Sequence, residues 1–313
     1  MLSDSFDTEI IRYNLQNCNE CYYNSLRTIY HYTSPEGLIG ILQQNNPVLW
    51  FSRYDILNDT AEGKNVMSVY RKACNKLLNS KEISKRFYDD IYNLEIAKKT
   101  ALIYKEAINN TIHGKYTECD KYICSFSKND DSLPMWNYYV KNNKFEGFNI
   151  GFTFFANEYD IHKTALDNGY SIEFYSVIYD ENQKLEIIKK KILNIYSAIT
   201  NYDKQINRVQ THLMNVLNDY SLIFKTECFK HEEEVRAIIE LPREQNIFEI
   251  KYRTKNGYII PYISFELSKV NICEINIGPL LKDDSCKKNI ADMLLRYNYH
   301  PCRIKSSAIP IRY

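Results

Sequence analysis

Glycine is scarce, with nine in 313 residues, and the chain contains no Gly-rich phosphate loop of either common type. Charge of one sign is also missing. Forty Lys and Arg against thirty-nine Asp and Glu leave a net charge of +1, without the basic footprint of a dedicated nucleic-acid binder, so any polyanion contact is local. No apolar run approaches the roughly 18 residues that a bilayer span needs. The N-terminal MLSDSFDTEIIRYNLQ is acidic and polar, unlike the basic-then-apolar start of a signal peptide. These absences point to a cytoplasmic protein with no membrane partner. HExxH, GxSxG and EF-hand patterns are absent, and Cys18-x-x-Cys21 stands without the second pair that structural zinc requires, so no metal is expected. Nine cysteines, an odd number at scattered positions, suit reduced thiols better than a disulfide framework.

With 44% hydrophobic and 25% charged residues, the composition is that of a chain with a sizeable core. Its 27 tyrosines, alongside many Asn, Ile and Lys, look like the bias of an A/T-rich genome and are not read as base-stacking residues. TIYHYT reads as a strand, followed by SPEGLIGILQQ, a helix with a Ser cap and Pro in its first turn. VLWFS is a second strand, and LNDTAEG a loop. Apolar residues at helical spacing predict two helices between about 61 and 112 and a second helical block at about 181–224. YICSFS, GFNIGFTF, EVRAIIEL, IFEIKYR, YIIPYISF and NICEINIG read as strands, MWNYYV as a short helix and CKKNIADMLLRY as the last helix. The expected fold is a single α+β domain over 1–313, with a mixed, mainly antiparallel sheet built from both ends of the sequence and two helical inserts.

Three groups of residues are candidates for chemistry. His31, Tyr32 and Thr33 sit at a strand end beside a helix N-terminus, where free amides favour a phosphate- or ribose-bearing ligand. The plainer reading makes His31 a half-buried residue bonded to backbone and Thr33 part of the cap. In the strand register of Glu232-Glu233-Glu234-Val235-Arg236, Glu232, Glu234 and Arg236 share a face. Two carboxylates with an arginine can bind ribose hydroxyls or stabilise an oxocarbenium charge, while the plainer reading is a surface strand laced by ion pairs. Asn58, Asp59 and Glu62 form one polar patch, and Ser125, Ser127, Met135, Trp136 and Tyr139 a polar-aromatic one, with Met135 and Trp136 favoured as core.

Taken together, HYTSPEGLIGIL, LWFS, LNDTAE, SFSKNDDSLPMWNYY, GFNIGF, KTECFKHEEEVR, INIGP and SSAIPIR resemble a widespread bacterial domain family of unknown function, over about residues 28–313. Phe229 stands where that pattern has tryptophan. More distantly, the order of blocks is similar to the ADP-ribosyltransferase fold, including DNA-targeting toxins and RNA 2′-phosphotransferases. That resemblance implies NAD as substrate, with His31 holding the adenosine ribose and Thr33 supporting it. It puts Ser52, with Trp50 and Phe51, beside nicotinamide, and Glu234 or Glu232 at the nicotinamide ribose. The catalytic candidates are therefore Glu234, Glu232 and His31, and the ligand-binding candidates His31, Tyr32, Thr33, Ser52, Asn58 and Arg236. Two functions are expected from different classes. One is an NAD-dependent ADP-ribosyltransferase or NAD glycohydrolase, with a nucleic acid, a protein or water as acceptor, in bacterial phage defence. The other is a non-enzymatic module of a defence or stress system that binds a nucleotide or a partner. A nuclease holding Mg²⁺ on Asp59, Glu62 and the 232/234 pair ranks last.

Overall fold

In the computed structural model, residues 28–311 are described except 45, 55–59, 96–100, 104–116, 141–144, 154–168, 244–245, 256, 268–271, 282 and 300–301. The β-branched and aromatic run IYHYT forms β1 (Ile29–Thr33), and Ser34 caps α1 (Pro35–Leu42) by accepting the Gly37 amide at 3.1 Å on its hydroxyl. Pro35 starts the helix, where its missing N–H costs nothing. Gly37 is required by packing. A Cβ there would lie 2.0 Å from Thr33 Oγ1, whereas one at Gly40, on the exposed side of the same helix, would meet nothing within 4 Å.

The remaining elements are β2 (Val48–Arg53), α2 (Thr60–Asn79), α3 (Lys85–Ile91), β3 (Ala101–Ile103), β4 (Thr117–Ser127), α4 (Leu133–Tyr138), β5 (Phe148–Phe152) and β6 (Ser171–Ser176). Then follow α5 (Glu181–Ser197), α6 (Tyr202–Ser221), a 3-10 helix at Glu227–Glu232, β7 (Glu234–Pro242), β8 (Lys251–Lys255), β9 (Tyr258–Glu266), β10 (Ile272–Ile277), α7 (Asp284–Arg296) and β11 (Arg303–Ser306). Among the described residues the strands form one mixed sheet in an α+β fold. Its path is β11-β10-β5-β1-β4-β2-β9-β8, with β3 and β7 on β4 and β6 outside β7. Among the described strand pairs only β10–β11 is parallel.

The sheet branches at β4. One edge of β4 is taken by β7 without interruption, from Cys119↔Pro242 to Ser127↔Glu234. The opposite edge is divided: β2 pairs at Tyr122 and Ile123, β1 pairs only at Ser127, and residues 124–126 face a fork between the two strands. His31 is the first residue of β1 past that last pairing, and Phe51 and Trp50 continue β2 away from the other.

Two apolar layers cover the sheet. On one side α2, α3, α5 and α6 pack against Ile123, Tyr175 and Ile238; on the other, α1 and α7 join Cys124, Phe126, Val235, Ala237 and Ile275. The helical block at 181–224 divides where Asn201 caps α6, its side chain accepting the Lys204 amide. Four elements depart from the sequence reading. Of IFEIKYR only Lys251–Arg253 lie in a strand, β8, which runs on to Lys255. Leu102 and Ile103, expected in a helix, lie in β3, whose three residues pair with Thr117–Cys119 at the start of β4. β6 was not anticipated, because SIEFYS mixes polar and aromatic residues on a strand whose only strand partner is β7. Glu232 closes a 3-10 helix and does not extend the following strand, since Glu233 adopts φ 44° in the left-handed region.

The two glycines of α1 should therefore respond oppositely to alanine. Gly37→Ala is expected to lower stability by about 1–3 kcal/mol through the clash with Thr33, and Gly40→Ala to raise it by up to about 1 kcal/mol through helix propensity. Urea melts that reverse this order would contradict the packing of α1 on β1.

Candidate functional site

The left-handed turn at Glu233 re-aims the chain so that Glu232, Glu234 and Arg236 meet although they are not in one strand register. Backbone and side-chain bonds hold the turn: Ser127 Oγ donates to the Glu232 carbonyl at 2.7 Å and the Lys128 amide to the Glu233 carbonyl at 3.0 Å. Glu233 itself points outward, accepting from Asn129 Nδ2 at 3.2 Å. Lys225 joins the group from the segment after α6, which is anchored by its amide bond to the Ile178 carbonyl at 3.1 Å.

All four charged side chains are buried. Lys225 Nζ donates to Glu232 Oε2 at 2.5 Å and to Glu234 Oε2 at 3.1 Å. Arg236 forks onto Glu234, Nε to Oε1 at 2.9 Å and Nη2 to Oε2 at 3.1 Å, while its Nη1 donates to the Leu222 carbonyl at 2.5 Å. Ser125 Oγ adds a fourth bond to Glu234, on Oε1 at 2.6 Å. A carboxylate offers about four lone-pair sites, so Glu234 is filled. Among the described residues Glu232 accepts only from Lys225 and the Tyr139 hydroxyl, the latter at 2.8 Å on Oε1, which leaves it open acceptor capacity. Burial alone would raise the Glu234 pKa, but Arg236 and Lys225 outweigh it and hold the group at about 2. Burial likewise opposes the charge on Lys225, and Glu234 and Glu232 overcome it, so its pKa is raised.

Ser125 is the exposed position in an otherwise buried run from Lys121 to Ser127. Its carbonyl accepts from His31 Nδ1 at 3.0 Å, which fixes the proton on Nδ1 and leaves Nε2 as an acceptor. Burial lowers the His31 pKa, the Ser125 carbonyl raises it, and nearby Arg253 lowers it further, the net direction favouring the neutral ring. Thus the imidazole of β1 and the carboxylate of β7 both reach one residue at the fork.

The other sequence-predicted residues are distributed as follows. Tyr32 packs edge-on against Trp136 at 4.7 Å, and its hydroxyl donates to the Asn129 carbonyl and accepts the Ser132 amide, so it serves the fold. Thr33 lies under Gly37. Ser52 is buried on β2 and accepts from Arg253 Nη2 at 2.8 Å. Met135 and Trp136 are buried, the indole donating to Asp131, which also accepts from Ser307 and the Ala308 amide and so ties the terminal segment to α4. Asn58, Asp59, Cys18 and Cys21 lie outside the described residues, as does the side chain of Glu62. Lys225 and Arg253 were missed. The signal for Lys225 was a lysine upstream of an acidic pair. Arg253 carried none, because its partners come from β2.

Residues 135–237 match the model of DUF2971, a protein family of unknown function. The DUF2971 match covers about a third of the chain and ends one residue past Arg236. It contains Tyr139, Lys225, Glu232, Glu234 and Arg236, and excludes β1, β2 and β8. Phe229, where the sequence pattern has tryptophan, lies with its ring 4.9 Å from Lys225 Nζ, covering the buried ammonium. No curated protein and no solved structure matches the chain, so the likeness to ADP-ribosyltransferases rests on the sequence blocks alone.

Removing one member of the charged group should cost more than any surface ion pair. Glu234→Gln leaves Arg236 and Lys225 undercompensated and is expected to lower stability by about 3–5 kcal/mol. For the wild type, a carboxyl held at about 2 against its ordinary 4.5 contributes roughly 3 kcal/mol at neutral pH. The depressed folded-state value means this contribution is complete above the ordinary carboxylate range and vanishes as pH falls through about 2. Glu234→Gln should therefore flatten the acid limb of a stability-versus-pH curve. An unchanged limb would show that the group does not stabilise the fold.

Proposed function

We propose that the protein binds an NAD-class dinucleotide at the fork in the sheet and breaks its nicotinamide–ribose bond, passing ADP-ribose to a nucleic acid, a protein or water, as an effector in bacterial phage defence. The reading is carried by one observation: His31 and Glu234, from opposite ends of the sequence, both bond the exposed Ser125. In the proposed step the C–N bond breaks with its electron pair leaving on nicotinamide. The acceptor's nucleophilic atom then bonds the anomeric carbon and loses its proton. A carboxylate near that carbon helps most as positive charge develops there. Between the two glutamates, Glu232 suits this role, because it keeps open acceptor sites beside the half-exposed Tyr139 while Glu234 has none. Glu234 is then a positioning residue, holding Lys225, Arg236 and the Ser125 hydroxyl.

The second reading, a binding module without catalysis, is favoured by the saturation of Glu234 and by the burial of Glu232. Both carboxylates are engaged by a cation, which weakens their help to a developing positive charge. The nuclease reading meets a direct obstacle, since Lys225 occupies the place between Glu232 and Glu234 that Mg²⁺ would need.

Incubating the protein with NAD, alone and with DNA or RNA, and following nicotinamide by chromatography separates these readings. Nicotinamide release is expected, with Glu232→Gln lowering its rate about 100-fold or more and His31→Ala abolishing detectable turnover while melting stays near wild type. NAD binding by calorimetry with no release would replace the first reading by the second. Absence of both binding and release would remove each of them.

A further inference from the structure

Four buried cations in this protein are matched by acids: Lys121 by Asp219 at 2.5 Å, Lys184 by Glu181 at 2.7 Å, Lys225 by Glu232 at 2.5 Å and Arg236 by Glu234 at 2.9 Å. Arg253 on β8 differs. It is half-buried, its Nη2 donates to Ser52, its Nε is buried without a hydrogen-bond partner, and it forms no ion pair among the described residues. Its guanidinium carbon lies 5.6 Å from the ring of Trp50, a contact that orients the charge without neutralising it. Burial depresses its pKa, the direction expected of a cation lacking a full complement of acceptors.

Trp50 is unusual in its own way. The other tryptophan is fully buried, but this indole is 48% exposed on β2, with Tyr262 beside it at a ring distance of 4.6 Å. An uncompensated guanidinium calls for an anion, and an exposed indole next to it for a flat ring carried by the same ligand. A nucleoside phosphate has both.

We propose that Arg253, positioned by Ser52 and flanked by Trp50, is a phosphate subsite on the β2 side of the fork, binding a nucleoside phosphate with its base or sugar against the indole. The subsite shares the fork with the NAD reading but requires no bond cleavage. Arg253 also acts on His31, whose pKa it lowers, so this subsite and the imidazole are electrostatically connected across the gap.

Titration of the full chain with ADP, adenosine and inorganic pyrophosphate, by calorimetry and by tryptophan emission, tests the assignment. ADP should bind at least about tenfold more tightly than adenosine, the worth of a charge-assisted hydrogen bond, and should alter Trp50 emission, a change lost in Trp50→Phe. Arg253→Gln should erase the preference for ADP over adenosine, and Arg253→Lys should restore part of it. Each preference is a ratio within one protein preparation, so a general loss of stability does not mimic the result. Equal affinities for ADP and adenosine in the wild type, an unchanged ratio in Arg253→Gln, or no binding of either phosphate compound would overturn the subsite. ADP binding without nicotinamide release from NAD would keep the subsite and reject cleavage. Nicotinamide release undiminished in Arg253→Gln would do the reverse.

Discussion

A single ammonium between two carboxylates organises the centre of this protein. Without Lys225, Glu232 and Glu234 would face each other in a medium where like charges repel strongly and neither is hydrated. With it, and with Arg236 forked onto Glu234, two positive and two negative groups close into a neutral, hydrogen-bonded cluster. The cluster reaches five separate parts of the chain: the segment after α6 through Lys225 and Leu222, the 3-10 helix through Glu232, β7 through Glu234 and Arg236, β4 through Ser125, and the end of α4 through Tyr139. Buried ion pairs are weak evidence of net stability, because desolvation offsets most of the attraction. Their geometric demand is strong, however. Each member is correctly satisfied in one arrangement only, and that arrangement requires the left-handed turn at Glu233.

The branching of the sheet at β4 gives the cluster its relation to solvent. β7 holds one edge of β4 from Cys119 to Ser127, so near Ser125 any opening must come on the other, where β2 and β1 pair with different residues and separate between them. A carbonyl on such an unpaired stretch needs a donor, and His31 supplies one to Ser125. The plain reading of His31 as a half-buried residue bonded to backbone is therefore correct as a description of its contact. It does not exhaust its position, since the bond holds the half-buried ring against the stretch of β4 that neither β1 nor β2 pairs, with one nitrogen still able to accept.

Much of this architecture was legible in the residues. β-branched runs bounded by turns marked most strands, and Ser34 with Pro35 marked the start of α1 to the residue. What escaped had physical causes. β3 is three residues long, and a Leu-Ile pair fits helical and strand periods equally well. The alternation argument placed Glu234 and Arg236 on one side of β7 correctly, yet Glu232 reaches the same cluster through a turn that no alternation predicts. Lys225 and Arg253 were hidden because their significance lies in partners distant in the chain or, for Arg253, in the absence of an acidic one.

Electroneutrality also divides the labour around the fork. A closed cluster of two cations and two anions exerts little net field beyond its own contacts, so it neither attracts nor repels a charged ligand from a distance. Among the described residues Arg253, on the β2–β8 side, has no acidic partner, and its charge disfavours protonation of His31. Approach and orientation of an anionic ligand would then depend on the β2–β8 side of the fork, and short-range hydrogen bonding on the β4–β7 side. The DUF2971 match covers the charged cluster and the first residues of β7, to Ala237, but neither β4 with Ser125 nor the β2–β8 side. The neutral cluster is consequently the part of the site that the family model describes, and the uncompensated arginine a feature of the segments outside it.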